Sequence, residues 1–181
     1  ARSNPVPTPE SSDVIYRLKK ASRAELLVLA LAIKSYANMK MYVDENAEEF
    51  ISHPDVKKLL QEAYQVYRQS PEKFDRLTSL LISKVDEPKL LFFNDPLKEN
   101  FRSNSFSQDP LENDEPELTL ANSEEQQKEI EEKILKDAIK RARENYLKET
   151  LKQLSHELKL GATPEKMERM MLIQKALKEI K

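Results

Sequence analysis

"EEFISHPDVKKLL", residues 48–60, reads as a helix that stops at Ser52-His53-Pro54 and at once restarts. Proline breaks a helix interior, yet its fixed φ suits the first helical turn. Ser52 or His53 then stands where a side chain must accept the free N–H groups of that turn, and the new helix runs to about Gln69. Such a corner, with helical spacing on both sides, predicts an all-α chain. The expected architecture is a small helical bundle, then a long connecting helix, then a C-terminal antiparallel helical hairpin.

Upstream of the corner, Ser22 and Glu25 form a capping box in front of "LLVLALAI". That helix is apolar nearly all round, as the central helix of a bundle must be. "NMKMYV" and "AEEFI" read as short helices. Downstream, Ser70-Pro71-Glu72 repeats the corner chemistry before "KFDRLTSLLISKV", and a further short helix is expected at Leu90 to Phe93. Residues 13–93 therefore form the bundle, behind a Pro-rich linker at 1–12 that reads as the start of a piece of a longer protein. Over 94–122 the periodicity is lost. "QDPLENDEPEL" holds five acids, two prolines and no base, the composition of an extended tether.

Ser123 with Gln126 predicts a second capping box and a long helix to about Leu160, reaching about 55 Å at 1.5 Å per residue. Leu135, Ile139, Ala142 and Tyr146 share one face of it. Leu147, Leu151, Leu154 and Leu158 share another, displaced by roughly a third of a turn. Two faces require two partners, or a bend near Tyr146. The expected partners are the bundle for the connecting part, 123–146, and the last helix for the remainder. Gly161 is expected to close the long helix as a C-cap, and Thr163-Pro164-Glu165 to open the last one. So short a turn makes 147–181 an antiparallel hairpin. Met167, Met170, Ile173, Leu177 and Ile180 form its expected inward stripe, with Met171 at the margin and Leu172 outside it.

Composition removes several function classes. Of 181 residues, 39% are hydrophobic and 34% charged, with a net charge of −2, which gives no global attraction to nucleic acid or an anionic membrane. One glycine nearly excludes phosphate-cradling loops, which need close backbone approach. With no cysteine there is neither a disulfide frame nor a thiolate metal site, and a cytoplasmic location is expected. The apolar run from Leu26 to Ile33 is too short to span a bilayer.

Among individual candidates, His53 and His156 are the only histidines and lie in separate segments, so a metal site would lack converging ligands. His53 reads as a helix cap. The paired acids Glu48/Glu49, Glu124/Glu125 and Glu131/Glu132 read as solvated helix faces, and neither a cofactor nor a catalytic residue is expected. Lys133, Lys136, Lys140, Arg141, Arg143, Lys148 and Lys152 could track phosphates, but acids are interleaved and no aromatic platform accompanies them, so at most incidental nucleic-acid contact is expected. The Met-rich last helix is different. Met171 and Leu172 cannot both enter one seam, and flexible, polarizable methionine suits adaptable docking faces.

At "RAELLVLALAI…FISHPDVKKLL" the chain resembles the C-terminal, helicase-binding region of bacterial DNA primases. The resemblance rests on Ala24-Glu25-Leu26-Leu27, on the corner Phe50-Ile51-Ser52-His53-Pro54, and on Leu59-Leu60 after it. It extends to the order of bundle, connecting helix and hairpin, while the acidic stretch at 109–118 is no part of the family pattern. What the resemblance implies is a non-catalytic docking module whose hairpin attaches primase to the N-terminal collar of the hexameric replicative helicase, with the bundle as modulator. The carried-over attachment residues are Met167, Met170, Met171, Leu172, Gln174, Lys175 and Lys178, with Leu158 and Leu160 at the turn. The competing expectations are a helicase collar domain that assembles into rings, a homodimer through the hairpin, and a generic helical adaptor.

Overall fold

The computed structural model describes residues 14–88, 91 and 120–180. Its helices are α1 (Arg23–Ala32), α2 (Tyr36–Asp44), a 3₁₀ turn (Ala47–Phe50), α3 (Pro54–Gln69), α4 (Pro71–Ile82), α5 (Leu120–Leu160) and α6 (Pro164–Ile180). Of the helix expected at Leu90 to Phe93 only Leu91 is described, helical and buried in the core, and most of the acidic segment lies outside the described residues.

Each corner of the bundle is made by local chemistry. The Ser22–Glu25 capping box opens α1, and the Ser35 hydroxyl accepts from the Asn38 amide (3.1 Å) at the start of α2. Asn38 is buried, and its side-chain amide donates to the Leu31 carbonyl (3.0 Å), closing the α1–α2 corner without an orphaned polar group. The turn before the 3₁₀ element needs a left-handed residue. Asn46 supplies it, at φ 50° and ψ 36°; asparagine tolerates this region best among residues with a Cβ. His53 caps α3 as expected, its Nδ1 accepting from the Val56 amide at 3.4 Å, with Pro54 in the first turn. Ser70 precedes Pro71 at α4, but its hydroxyl makes no cap hydrogen bond.

Glu25 does more than cap its own helix. One carboxylate oxygen accepts from the Ser22 amide (3.0 Å) and hydroxyl (2.8 Å). The other accepts from the Ser52 amide (2.7 Å), the Ser52 hydroxyl (3.0 Å) and the His53 amide (2.9 Å). The start of α1 is thereby fastened to the corner at residues 51–53. Burial works against the charge of this carboxyl, but the N–H groups of His53, Ser22 and Ser52 and the Ser22 hydroxyl outweigh it and hold its pKa below the usual value.

α1 is the hub of the core. It packs against α2, α3 and α5, and Leu26, Val28, Leu29, Leu31 and Ala32 are all buried. Leu59 and Leu60 of α3, Phe74 and Leu81 of α4, and Leu135, Ala138 and Ile139 of α5 join the same cluster. Each fully buried large side chain contributes roughly 1.5–3 kcal/mol against exposure. An extended segment at residues 16–18 completes the bundle. The Tyr16 amide donates to the Lys84 carbonyl (2.7 Å), and the Asp86 amide donates to the Tyr16 carbonyl (3.0 Å), forming one parallel bridge between Tyr16 and Val85. The Tyr16 hydroxyl bonds the Glu62 carboxylate, which also pairs with Lys84 at 2.9 Å.

α5 runs unbroken over 41 residues, about 60 Å, and takes two partners. Its first half lies on the bundle, and its second half pairs with α6, where Leu154 and Ile173 are buried. Two local expectations are corrected. The helix begins at Leu120, so Ser123 lies inside it and is not its N-cap, and residues 120–122 belong to the helix. Gly161 follows α5, yet its φ is not positive and its amide still donates to the Glu157 carbonyl (3.0 Å). The helix ends because Pro164 starts another one, whose first turn is capped by the Thr163 hydroxyl accepting from the Lys166 amide (3.4 Å).

Candidate docking surface

The phase of α6 is set at its start. Thr163 and Pro164 place Lys166, Met170, Ile173, Leu177 and Ile180 toward α5, where all five are buried or half-buried. Lys166 reaches Glu157 across the turn at 3.7 Å. Met167 is therefore displaced from the inward stripe expected of it, and is 53% exposed. A two-helix seam accepts about one side chain per turn, and Lys166 and Met170 already fill that end.

The carried-over residues thus divide. Met170 and Leu158 are half-buried in the hairpin and hold it together. Met167, Met171, Gln174 and Lys178 fall on one outer stripe of α6, at helical spacing of four, three and four residues, and all are exposed. Met171 is 67% and Leu172 62% exposed. Leu172 sits about 100° round the helix from Met171, with Lys175 between them in projection. Leu160, 79% exposed, stands at the turn. The outcome is an apolar stripe bordered by two lysines and a glutamine, open along α6 and at the tip. Large apolar groups left in water on one helix face mark an interaction surface.

The hairpin is anchored to the bundle at a junction that the motif reading did not anticipate. Phe50, at the end of the 3₁₀ turn, meets Tyr146 edge-on with ring centroids 6.0 Å apart, and the Arg143 guanidinium lies 5.0 Å from the Phe50 ring centre. A cleft of about 400 Å³ opens beside it, lined among others by Glu45, Phe50, Lys140, Arg143, Glu179 and Ile180. Residues at the end of α6 therefore share this cleft with residues of the bundle. Phe50 stands in the corner motif and Tyr146 at the change of face in α5, so the sequence marked both ends of the contact but not that they meet.

Other candidates are placed plainly. His156 is exposed on α5, and among the described residues no group of three His, Cys, Asp or Glu side chains is arranged to hold a metal ion. Of the basic residues on α5, Lys136 pairs with Glu132 (3.1 Å) and Lys148 with Glu144 (2.6 Å), while Arg143 lies over Phe50. Such exposed pairs add little stability, but they reduce the charge offered to a phosphate chain. Among the described residues no helix is long and apolar enough to cross a membrane. Comparison of the chain with protein-family models, with curated proteins and with solved structures finds no match.

Proposed function

We propose that this chain is the helicase-binding, non-catalytic region of a bacterial replicative DNA primase, cytoplasmic, and attached through its C-terminal hairpin to the N-terminal collar of the hexameric replicative helicase. The observation that carries the attachment is the exposed apolar face of the hairpin: Met167, Met171, Leu172 and Leu160 are each more than half accessible. The identity of the partner rests on the resemblance at Ala24–Leu27 and Phe50–Pro54. The Glu25 network supports that resemblance physically, because the two motif segments are the two halves of one hydrogen-bonded joint.

On this reading the module works by effective concentration. A tethered polymerase samples newly unwound strand at a local concentration of order mM, however weak its own affinity for DNA. The hairpin supplies the tether and the bundle, through the Phe50–Tyr146 junction, fixes the angle from which it is presented.

The test is a calorimetric titration of the chain against the helicase hexamer of the same organism, with the chain ending at Tyr146 and the double variant Met171→Ser/Leu172→Ser beside it. Because both substituted side chains are exposed, the variant should melt within about 0.5 kcal/mol of the parent. The expected result is binding at a few copies per hexamer by the full chain, none by the shortened chain, and at least tenfold loss in the double variant. If no form binds helicase while light scattering shows the full chain assembling with itself, the same stripe is an oligomer seam and the collar-domain reading replaces this one.

A further inference from the structure

Sulfur occurs in this sequence only as thioether. There are five methionines, no cysteine and no tryptophan, so the methionine sulfurs are the side-chain atoms most readily oxidised. The fold protects them unequally. Met39 is fully buried in the bundle core, and Met41 and Met170 are half-buried, the latter in the α5–α6 seam. Met167 and Met171 are 53% and 67% exposed. They stand four residues apart on α6, one turn from each other on one face. That face is the stripe on which the docking reading rests. The two open thioethers therefore lie together in the surface that a partner must desolvate.

A hydroperoxide oxidises a thioether by direct oxygen transfer. A sulfur lone pair attacks one peroxide oxygen, and the O–O bond breaks as the S–O bond forms. Sulfur is oxidised by two electrons, and hydrogen peroxide is reduced to water. A flexible apolar side chain thereby becomes a polar, chiral sulfoxide. In a partner's apolar groove the new oxygen would be buried without a hydrogen bond, which opposes docking. In water on the outside of α6 the same oxygen is solvated and disturbs no core contact. We propose that Met167 and Met171 form a redox switch: a hydroperoxide converts them to sulfoxides ahead of the buried methionines and turns off docking through the hairpin while the fold persists. This rests on the docking role proposed above for that face, and the oxidant acts on the unbound chain, where both sulfurs are open. Methionine sulfoxide reductases, consuming two thiols per sulfoxide, return the thioether with a disulfide and water, so the switch is reversible.

In the test, the full chain is treated with hydrogen peroxide for increasing times, and sulfoxide is quantified at each methionine by peptide mass spectrometry. Each sample also goes to a hydrophobic-interaction column, to thermal melting by circular dichroism, and to calorimetry against the helicase hexamer. Met167 and Met171 should oxidise about tenfold faster than Met39 or more, since the Met39 sulfur is reached only through an opening of the core. At that stage column retention should fall, helicase affinity should drop roughly tenfold or more, and the melting temperature should hold. The two reductases, one per sulfoxide epimer, should restore retention and affinity. Met167→Leu/Met171→Leu removes both sulfurs and keeps the face apolar; whatever its own affinity and retention, the same peroxide exposure should leave them where they were. Equal oxidation rates at all methionines, undiminished affinity in the doubly oxidised chain, or an equal loss in the leucine variant would overturn the proposal. An untreated chain that does not bind helicase strikes the docking reading alone, and the switch then stands or falls on column retention, which requires no partner.

Discussion

Glu25 stands third in the first turn of α1, where a capping box needs a glutamate, and the sequence motif accounts for it at that level. What it does beyond this depends on residues more than twenty positions away. Its carboxylate accepts the Ser52 and His53 amides, so removing its charge unfastens the corner as well as the cap. Glu25→Gln should cost about 2–3 kcal/mol, read from chemical denaturation, because charge-assisted bonds to buried amides are lost or left unpaired. The pH dependence has a definite sign. The folded pKa lies below the ordinary 4.5, so the stabilisation is complete above that value and is lost as pH falls through the lowered one. The parent should therefore lose stability on acidification below about pH 4.5, and the glutamine variant should show a shallower slope. Equal slopes would assign the acid sensitivity to other carboxyls, of which Glu62, also depressed, is the first to examine.

At the scale of elements, the helix ends were read most faithfully where a proline fixes them. Pro54, Pro71 and Pro164 each open a helix at the expected place, because a proline ring constrains φ whatever surrounds it. The Ser22–Glu25 capping box also opens α1 where expected, but two other ends differ. Ser123 lost its capping position to a helix that starts three residues earlier, and Gly161 lacks the left-handed conformation that its place after α5 suggested. Nothing lies within 4 Å of where a Cβ would sit on Gly161. Gly161→Ala should therefore stabilise the hairpin by about 0.4–1 kcal/mol through the unfolded chain, seen as a higher melting temperature by circular dichroism. A loss of stability would mean that the turn does use the freedom of glycine. The change of face along α5 was legible from Leu135 and Leu154 because it follows from counting along one helix.

Over the whole molecule, the unresolved question at the sequence level was how the hairpin sits on the bundle. The junction of Phe50, Arg143 and Tyr146 gives the answer and makes it testable. Phe50→Ala removes the aromatic contact and the ring beneath the guanidinium. With spin labels on α2 and α6, the distance distribution should broaden in that variant while the bundle core, which Phe50 only edges, keeps its stability within about 1 kcal/mol. An unchanged distribution would show that the rigidity of α5 alone sets the angle. The sequence by itself determined the helical class, the order of bundle, long helix and hairpin, and the corners between them, since caps, prolines and apolar spacing act over a few neighbouring residues. It also identified a surplus of apolar side chains on the last helix. Only the tertiary structure decided which of them remain in water, keeping Met170 inward as expected and turning Met167 outward. It alone gave Glu25 its second set of partners, joined Tyr16 to Val85, and left the Tyr42 hydroxyl buried without a hydrogen-bond partner. Those outcomes depend on the rotation of each helix about its axis and on pairings distant in the chain, which are fixed by how the faces pack together and not by any one segment.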